Sequence, residues 1–228
     1  WNEKALHYTW VCPDGHISHN KVLADKEVTG HYKGVAYKFM TQENRPKKRN
    51  EPKTSSLVAN PTHTWDGYVN RELTRRCNYD RNKLSYASNA IELALLGHVQ
   101  HSTPDPMLLF IEQTALKAEC YSIAAVDYIQ AGYLLGVSPK YLRELNQVIC
   151  WTLYGDSFPV FSVHDQFTAS PMHIGRVKQV YNRLLAESYK SSWLFDVVEQ
   201  LTGVRLHHMK QYDSAVFDSI CENTYALS

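Results

Sequence analysis

The rhythm of apolar and polar positions changes along the chain, and each change marks a different kind of element. Residues 1–41 alternate aromatic and aliphatic positions between turn signals such as Pro13-Asp14-Gly15 and the run Gly34-Val35-Ala36-Tyr37-Lys38-Phe39-Met40, a pattern that predicts a β-hairpin or short meander. Residues 42–56 are polar, basic and carry two prolines, and are expected to form a solvated loop. Past the segment Leu57 to Gly67 the spacing becomes helical. Val69, Leu73 and Cys77 share one face, while Arg71, Arg75, Arg76 and Arg81 lie off it.

Residues 84–155 read as wholly helical. Asp105-Pro106 supplies an N-cap and a first-turn proline for one helix, and Ser138-Pro139 opens another that runs to Gly155. At Phe158 the period shortens again. Pro159 to Val163 and Phe167 to Ala169 are short β runs flanking His164-Asp165-Gln166, which is a strand, tight turn, strand signal. Ser170-Pro171 is expected to start a helix with an apolar stripe of Ile174, Val177, Tyr181, Leu184 and Leu185. Further helices are predicted around Trp193 to Leu201, before Gly203, and near Ala215 to Ile220. No repeat or low-complexity tract interrupts the pattern.

Composition adds limits. With 44% hydrophobic and 12% aromatic residues in 228, the chain has enough apolar surface to fold around a core. A formal net charge of +1 neither favours nor disfavours nucleic acid, because a basic groove can sit inside a neutral total. The five cysteines are odd in number and show no C-x-x-C spacing, which predicts a reducing compartment with buried or inert thiols. The most apolar stretch, Ile123 to Val137, is broken by Asp127, Gln130 and two glycines, too short and too polar to span a bilayer. A start at Trp1 rather than methionine suggests a piece of a longer protein, and no basic-then-apolar leader opens it.

The candidate chemistry centres on Val163-His164-Asp165. A carboxylate at a hairpin tip stands clear of both strands and can bind a divalent cation, as two-metal nucleotidyl transfer requires. Read alone, a His-Asp pair is most often a polar turn, and it also occurs in metal-dependent phosphohydrolases, whose partner histidines are not evident here. The surrounding segment PVFSVHDQFTASPMHIGRVKQVYNRLLAESY, however, resembles motif C of the single-subunit DNA-directed RNA polymerases of the bacteriophage and mitochondrial type. SLVANPTHTWDGYVNREL resembles the element of that family in which Asn, His and Asp-Gly precede a helix upstream of motif C. The terminal DSICENTYALS resembles the family's C-terminal foot, and TWVCPDGHISHNK its Trp-x-x-Pro-x-Gly segment.

The resemblance implies an α+β fold, a palm-type antiparallel hairpin or sheet surrounded by helices and carrying a helical insertion. The divisions it suggests are 1–80, with the His63 element; 81–157, the insertion; 158–190, motif C and its helix; and 191–228, the foot. It implies that Asp165 ligates two Mg2+ ions together with a second carboxylate outside this chain, that His164 helps position the RNA 3′ end, and that His63 helps sense the ribose of the incoming nucleotide. Implied partners are a DNA template, the RNA transcript, ribonucleoside triphosphates, and an N-terminal region or second subunit supplying motifs A and B; the implied setting is cytoplasmic, and no membrane is involved.

Departures accompany the likeness. Gln166 replaces a small polar residue, and 102 positions separate His63 from Asp165, more than compact relatives use. No motif A aspartate or motif B lysine-tyrosine helix is present, so the chain alone is expected to be inactive. A DNA polymerase palm is the rival enzyme reading, although such enzymes usually follow the aspartate with glutamate; a non-catalytic assembly subunit is the rival of another class. Among secondary candidates, Lys47, Lys48 and Arg49 offer phosphate contacts from a loop, as do Arg71, Arg75 and Arg76 from a helix. Cys12, His16 and His19 have zinc-like spacing without a fourth ligand at a familiar interval. His98, His101, His207 and His208 read as surface histidines.

Overall fold

A computed structural model describes residues 6–46, 56–98, 103–163, 166–204, 206 and 212–224. The fold is mixed α+β, and the strands among the described residues form three separate two-stranded antiparallel ladders rather than one sheet. The first pairs β1 (His7–Val11) with β2 (Ile17–Lys21), and the second pairs β3 (Leu23–Tyr32) with β4 (Val35–Asn44). The third pairs β5 (Phe161–Val163) with β6 (Gln166–Thr168) in the register Phe161↔Thr168, Val163↔Gln166. The β3–β4 arm is buried at Ala24 but exposed along most of its length, and Tyr32, Val35, Tyr37 and Phe39 present one apolar face to solvent.

Helix α1 (Ser56–Cys77) starts well before Gly67, where helical spacing is first legible. Pro61 sits inside it, past the first turn, where it has no N–H to give to the carbonyl four residues back and its ring crowds that carbonyl. Tertiary anchors hold this first part: Asn60 donates to Asn20 of β2 at 2.8 Å, and Trp65 Nε1 donates to Ser188 at 3.0 Å.

Four stretches follow where a continuous helical region was expected. They are α2 (Arg81–Leu95), α3 (Pro106–Ala118), a 3-10 turn (Ile123–Tyr128) and α4 (Pro139–Leu153). Asp80 caps α2 by accepting from the amides of Asn82 and Lys83, and Asp105 caps α3 by accepting from Met107. Between the 3-10 turn and α4 the chain is irregular, and Gly132 and Gly136 there both take positive φ, which ends helical continuity.

Past the β5–β6 hairpin come a 3-10 turn (Pro171–His173), α5 (Ile174–Lys190), α6 (Trp193–Thr202) and α7 (Ser214–Cys221). The buried stripe of α5 is Val177, Val180 and Leu184, whereas Ile174 is 38% exposed and Leu185 only half-buried. The stripe is thus rotated from the expected one, because α5 turns towards both α1 and α7.

The core has two parts. One is built solely from residues between Leu84 and Ile149, among them Ile91, Leu108, Ile111, Tyr141 and Leu145. The other joins Trp10 and Cys12 of the first hairpin region with Tyr68, Leu73 and Cys77 of α1, Phe158 and Val160, Val180 and Leu184 of α5, and Trp193 of α6. The β5–β6 hairpin springs from this second cluster. At its base the Phe158 amide donates to the Cys77 carbonyl at 2.8 Å, and Phe167 packs on Tyr181 at 5.9 Å between ring centroids. Among the described residues no helix is long and apolar enough to cross a membrane.

Candidate functional site

The register Val163↔Gln166 leaves two residues between the strands, and these are His164 and Asp165. Both lie outside the described residues. Their flanks are described: Phe161 and Val163 are 68% and 65% exposed, so β5 carries two apolar side chains into solvent on one face. A two-residue connection of this kind is the shortest that joins antiparallel strands. Phe167 lays β6 along the middle of α5, and Trp65 lays the first half of α1 against the end of the same helix. Helix α5 is therefore the common support of the hairpin and of the His63 element. His63 is exposed on α1, as is Asp66 one turn later.

The basic candidates separate into three groups. Lys47, Lys48 and Arg49 lie outside the described residues. Arg71 and Arg75 converge on Asp14. Arg71 Nε and Nη2 donate to its two oxygens at 2.8 and 3.1 Å, and Arg75 Nη1 donates at 2.9 Å. Burial alone raises the Asp14 carboxyl, but the hydrogen bonds and charges of the two arginines outweigh it and hold it below the ordinary carboxylate range. Arg75 Nη1 also lies 3.7 Å from a Glu72 oxygen, so the charges are balanced within the fold, although the two arginine side chains remain 31% and 35% exposed.

Arg76 requires a correction. Its side chain has no exposed surface, and it donates to Glu72 at 3.1 Å, to both oxygens of Glu187 at 3.0 and 2.8 Å, and to the Tyr121 carbonyl at 3.2 Å. Glu72 in turn accepts from the Ser122 hydroxyl at 2.6 Å and the Ile123 amide at 2.8 Å. A guanidinium committed to four internal acceptors cannot contact nucleic acid; Arg76 is an internal tie between α1, α5 and the 3-10 turn. The helical period puts it one residue beyond the exposed Arg75, a 100° step that turns it inward.

Other candidates are also placed. Cys12 is buried, with its thiol pushed up to about 12 chiefly by burial, while His16 and His19 are exposed and His19 bonds Thr9 at 3.2 Å. Among the described residues no group of three or more metal-ligating side chains gathers, so that zinc spacing does not close into a site. Cys77 and Cys120 are likewise pushed to about 12 by burial, which fits inert thiols. Cys150 departs from that expectation, being exposed.

Sequence patterning marked Asp14 only as part of a turn signal and did not single out Glu72 or Glu187. It also missed Arg176. This residue lies on the first turn of α5, stacks on Trp151 with its guanidinium carbon 4.3 Å from the ring centroid, and donates to the Trp151 carbonyl at 3.1 Å. Glu72 and Glu187 each have an arginine partner four positions away, a spacing legible in the sequence, but their partners in other elements, and those of Asp14 and Arg176, lie 25 to 111 positions away. No protein-family model matches the chain, and no curated protein matches it.

Proposed function

We propose that this chain is the motif C part of a DNA-directed RNA polymerase, acting with a region that supplies the second metal-binding carboxylate. The observation that carries the reading is the β5–β6 hairpin, with His164-Asp165 as its two-residue connection and a helix rising directly behind it. This is the element order that the likeness to motif C requires, and it arises here in a chain folded from its own sequence pattern. The exposed His63 on α1, supported by the same α5, adds to it.

The donor chemistry fits magnesium. Mg2+ keeps most of its water shell and takes one or two carboxylates plus substrate phosphates, so a single protein oxygen donor from Asp165 is a natural half-site. When bound, the ions supply activation of the attacking hydroxyl and stabilisation of the leaving oxygen. The reaction is attack of an RNA 3′-hydroxyl on the α-phosphate of a ribonucleoside triphosphate, with pyrophosphate leaving. Asp165 supplies the carboxylate that would hold the ions. His164 orients the 3′ end beside it, and His63 offers a ring nitrogen to the ribose 2′-hydroxyl, the group that separates RNA precursors from DNA precursors. Arg71 and Arg75, pinned by Asp14, face the backbone of the product duplex and contribute salt-dependent affinity.

The test is Asp165→Asn in the polymerase that contains this chain, assayed by extension of a primed RNA–DNA hybrid in Mg2+. Extension is expected to fall about a thousandfold, the scale set by removing a key stabilising group from a water-excluded site, while template binding is retained. Extension at the parent rate by the variant rejects the reading.

A further inference from the structure

The two ends of the helical stretch between α1 and the hairpin lie side by side. On entry, the Tyr79 amide donates to Ser157 Oγ at 2.9 Å, that hydroxyl donates back to the Tyr79 carbonyl at 2.7 Å, and the Tyr79 hydroxyl donates to the Gly155 carbonyl at 2.5 Å. On exit, the Phe158 amide donates to the Cys77 carbonyl. Residues 77–79 and 155–158 thus form a neck, and β5 begins three residues beyond it.

The far side of the hairpin is tied to the same neck. His173, the last residue of the 3-10 turn after β6, stacks on Phe158 with centroids 4.2 Å apart and planes within 4°. One turn further, Arg176 spans the gap to the last turn of α4 through the Trp151 ring and carbonyl. The guanidinium packs directly over Gly155. A Cβ there would lie 2.5 Å from Arg176 Nε and 2.7 Å from Cζ. Gly155 has no unusual φ, so the glycine answers a close approach rather than a backbone need.

We infer that Arg176 is a positioning residue for the hairpin: it locks the first turn of α5 onto the neck from which β5 and β6 spring. Three features meet at this one guanidinium: the face of the Trp151 ring, the Trp151 carbonyl and the open space over Gly155. Burial lowers its affinity for the proton, yet the position retains a charged, planar group where an aliphatic side chain would fill the space. Such a group fixes direction as well as distance, which apolar packing does not. Because both feet of the hairpin are tied to the neck, a shift of α4 is passed to the catalytic loop through Arg176.

This inference rests on the polymerase reading, and the experiment keeps the two apart. In the polymerase containing this chain, Arg176→Ala, Gly155→Ala and, as control, Asp165→Asn are compared by steady-state extension and by thermal melting. A displacement near 1 Å at a reacting group costs up to about a hundredfold in rate. Arg176→Ala is therefore expected to lower kcat by about tenfold or more, with the KM for nucleotide within about twofold. Gly155→Ala, which leaves the arginine in place but evicts its guanidinium, is expected to show the same split. If both variants lower the melting temperature but keep kcat within about twofold, or raise only KM, Arg176 merely holds helices together and the inference is overturned. Should Arg176→Ala not fold, Gly155→Ala decides by the same criterion. An active Asp165→Asn control removes the polymerase reading itself, a result distinct from either outcome.

Discussion

Asp14 has a side chain that is 1% exposed and receives three hydrogen bonds from two arginines, so its ionisation is part of the fold. Its carboxyl lies below the ordinary value in the folded chain, whereas an unfolded aspartate titrates near pH 4. A depressed acid contributes stability that is fully present above its unfolded value and is lost as pH falls through the folded one. The chain is therefore expected to lose stability below about pH 4 in part through this residue. Asp14→Asn should melt lower at pH 7, and the gap from the parent should close as the pH is lowered through 4 and beyond. About a third of each arginine remains in solvent, which limits the loss at pH 7 to about 1–2 kcal/mol. Thermal melts of both proteins from pH 3 to 7 check this; a gap independent of pH would show that the carboxylate charge contributes nothing.

At the scale of elements, turn chemistry and capping residues were the most legible signals. Asp105-Pro106, Ser138-Pro139 and Gly203 mark helix ends in the sequence, and helices begin or end there. The strand, turn, strand pattern around His164-Asp165 is matched by the β5–β6 pairing on either side of it. What patterning misjudged was set by partners distant in sequence. The first part of α1 lies before the helical spacing becomes regular and is held by Asn20 and Ser188. The α5 stripe is rotated because two helices, α1 and α7, pack on it. The β3–β4 arm offers a direct test of turn logic. Its connection is Lys33-Gly34, with φ of 48° and 80°, a pair of positive values that suits a type I′ turn. Lysine pays a steric cost in that conformation which asparagine largely avoids. Lys33→Asn is expected to stabilise the arm by about 0.5–1 kcal/mol, read as slower amide exchange across the Tyr32↔Val35 and Gly30↔Tyr37 pairs. Unchanged or faster exchange there would mean that the arm is not limited by its turn.

For the whole molecule, the question is whether the helical stretch that separates α1 from the hairpin behaves as a detachable unit. Its own apolar cluster, confined between Leu84 and Ile149, argues that it does. The segment Ala118 to Ile123 argues the opposite and is the stronger consideration. Ala118 and Cys120 belong to the second cluster, where Cys120 Sγ lies 3.3 Å from the Tyr68 hydroxyl, and the Ala118 carbonyl accepts from the Ser192 amide at 2.7 Å. Ser122 and the Ile123 amide complete the shell of buried Glu72, and the Tyr121 carbonyl completes that of buried Arg76. Withdrawing this segment would strip partners from two charges that have no exposed side-chain surface, and an incompletely paired buried charge costs about 3–5 kcal/mol. The two clusters are therefore expected to unfold together. Trp10 and Trp193 report on the second cluster through fluorescence, while far-UV circular dichroism reads all the helices, α2, α3 and α4 of the first cluster included. The two probes should trace one coincident thermal transition, as a two-state unit requires. A helix signal melting apart from the tryptophan signal would mean that the tie through Glu72 and Arg76 is too weak to join the two cores, and Arg176 would then be working against a movable neck.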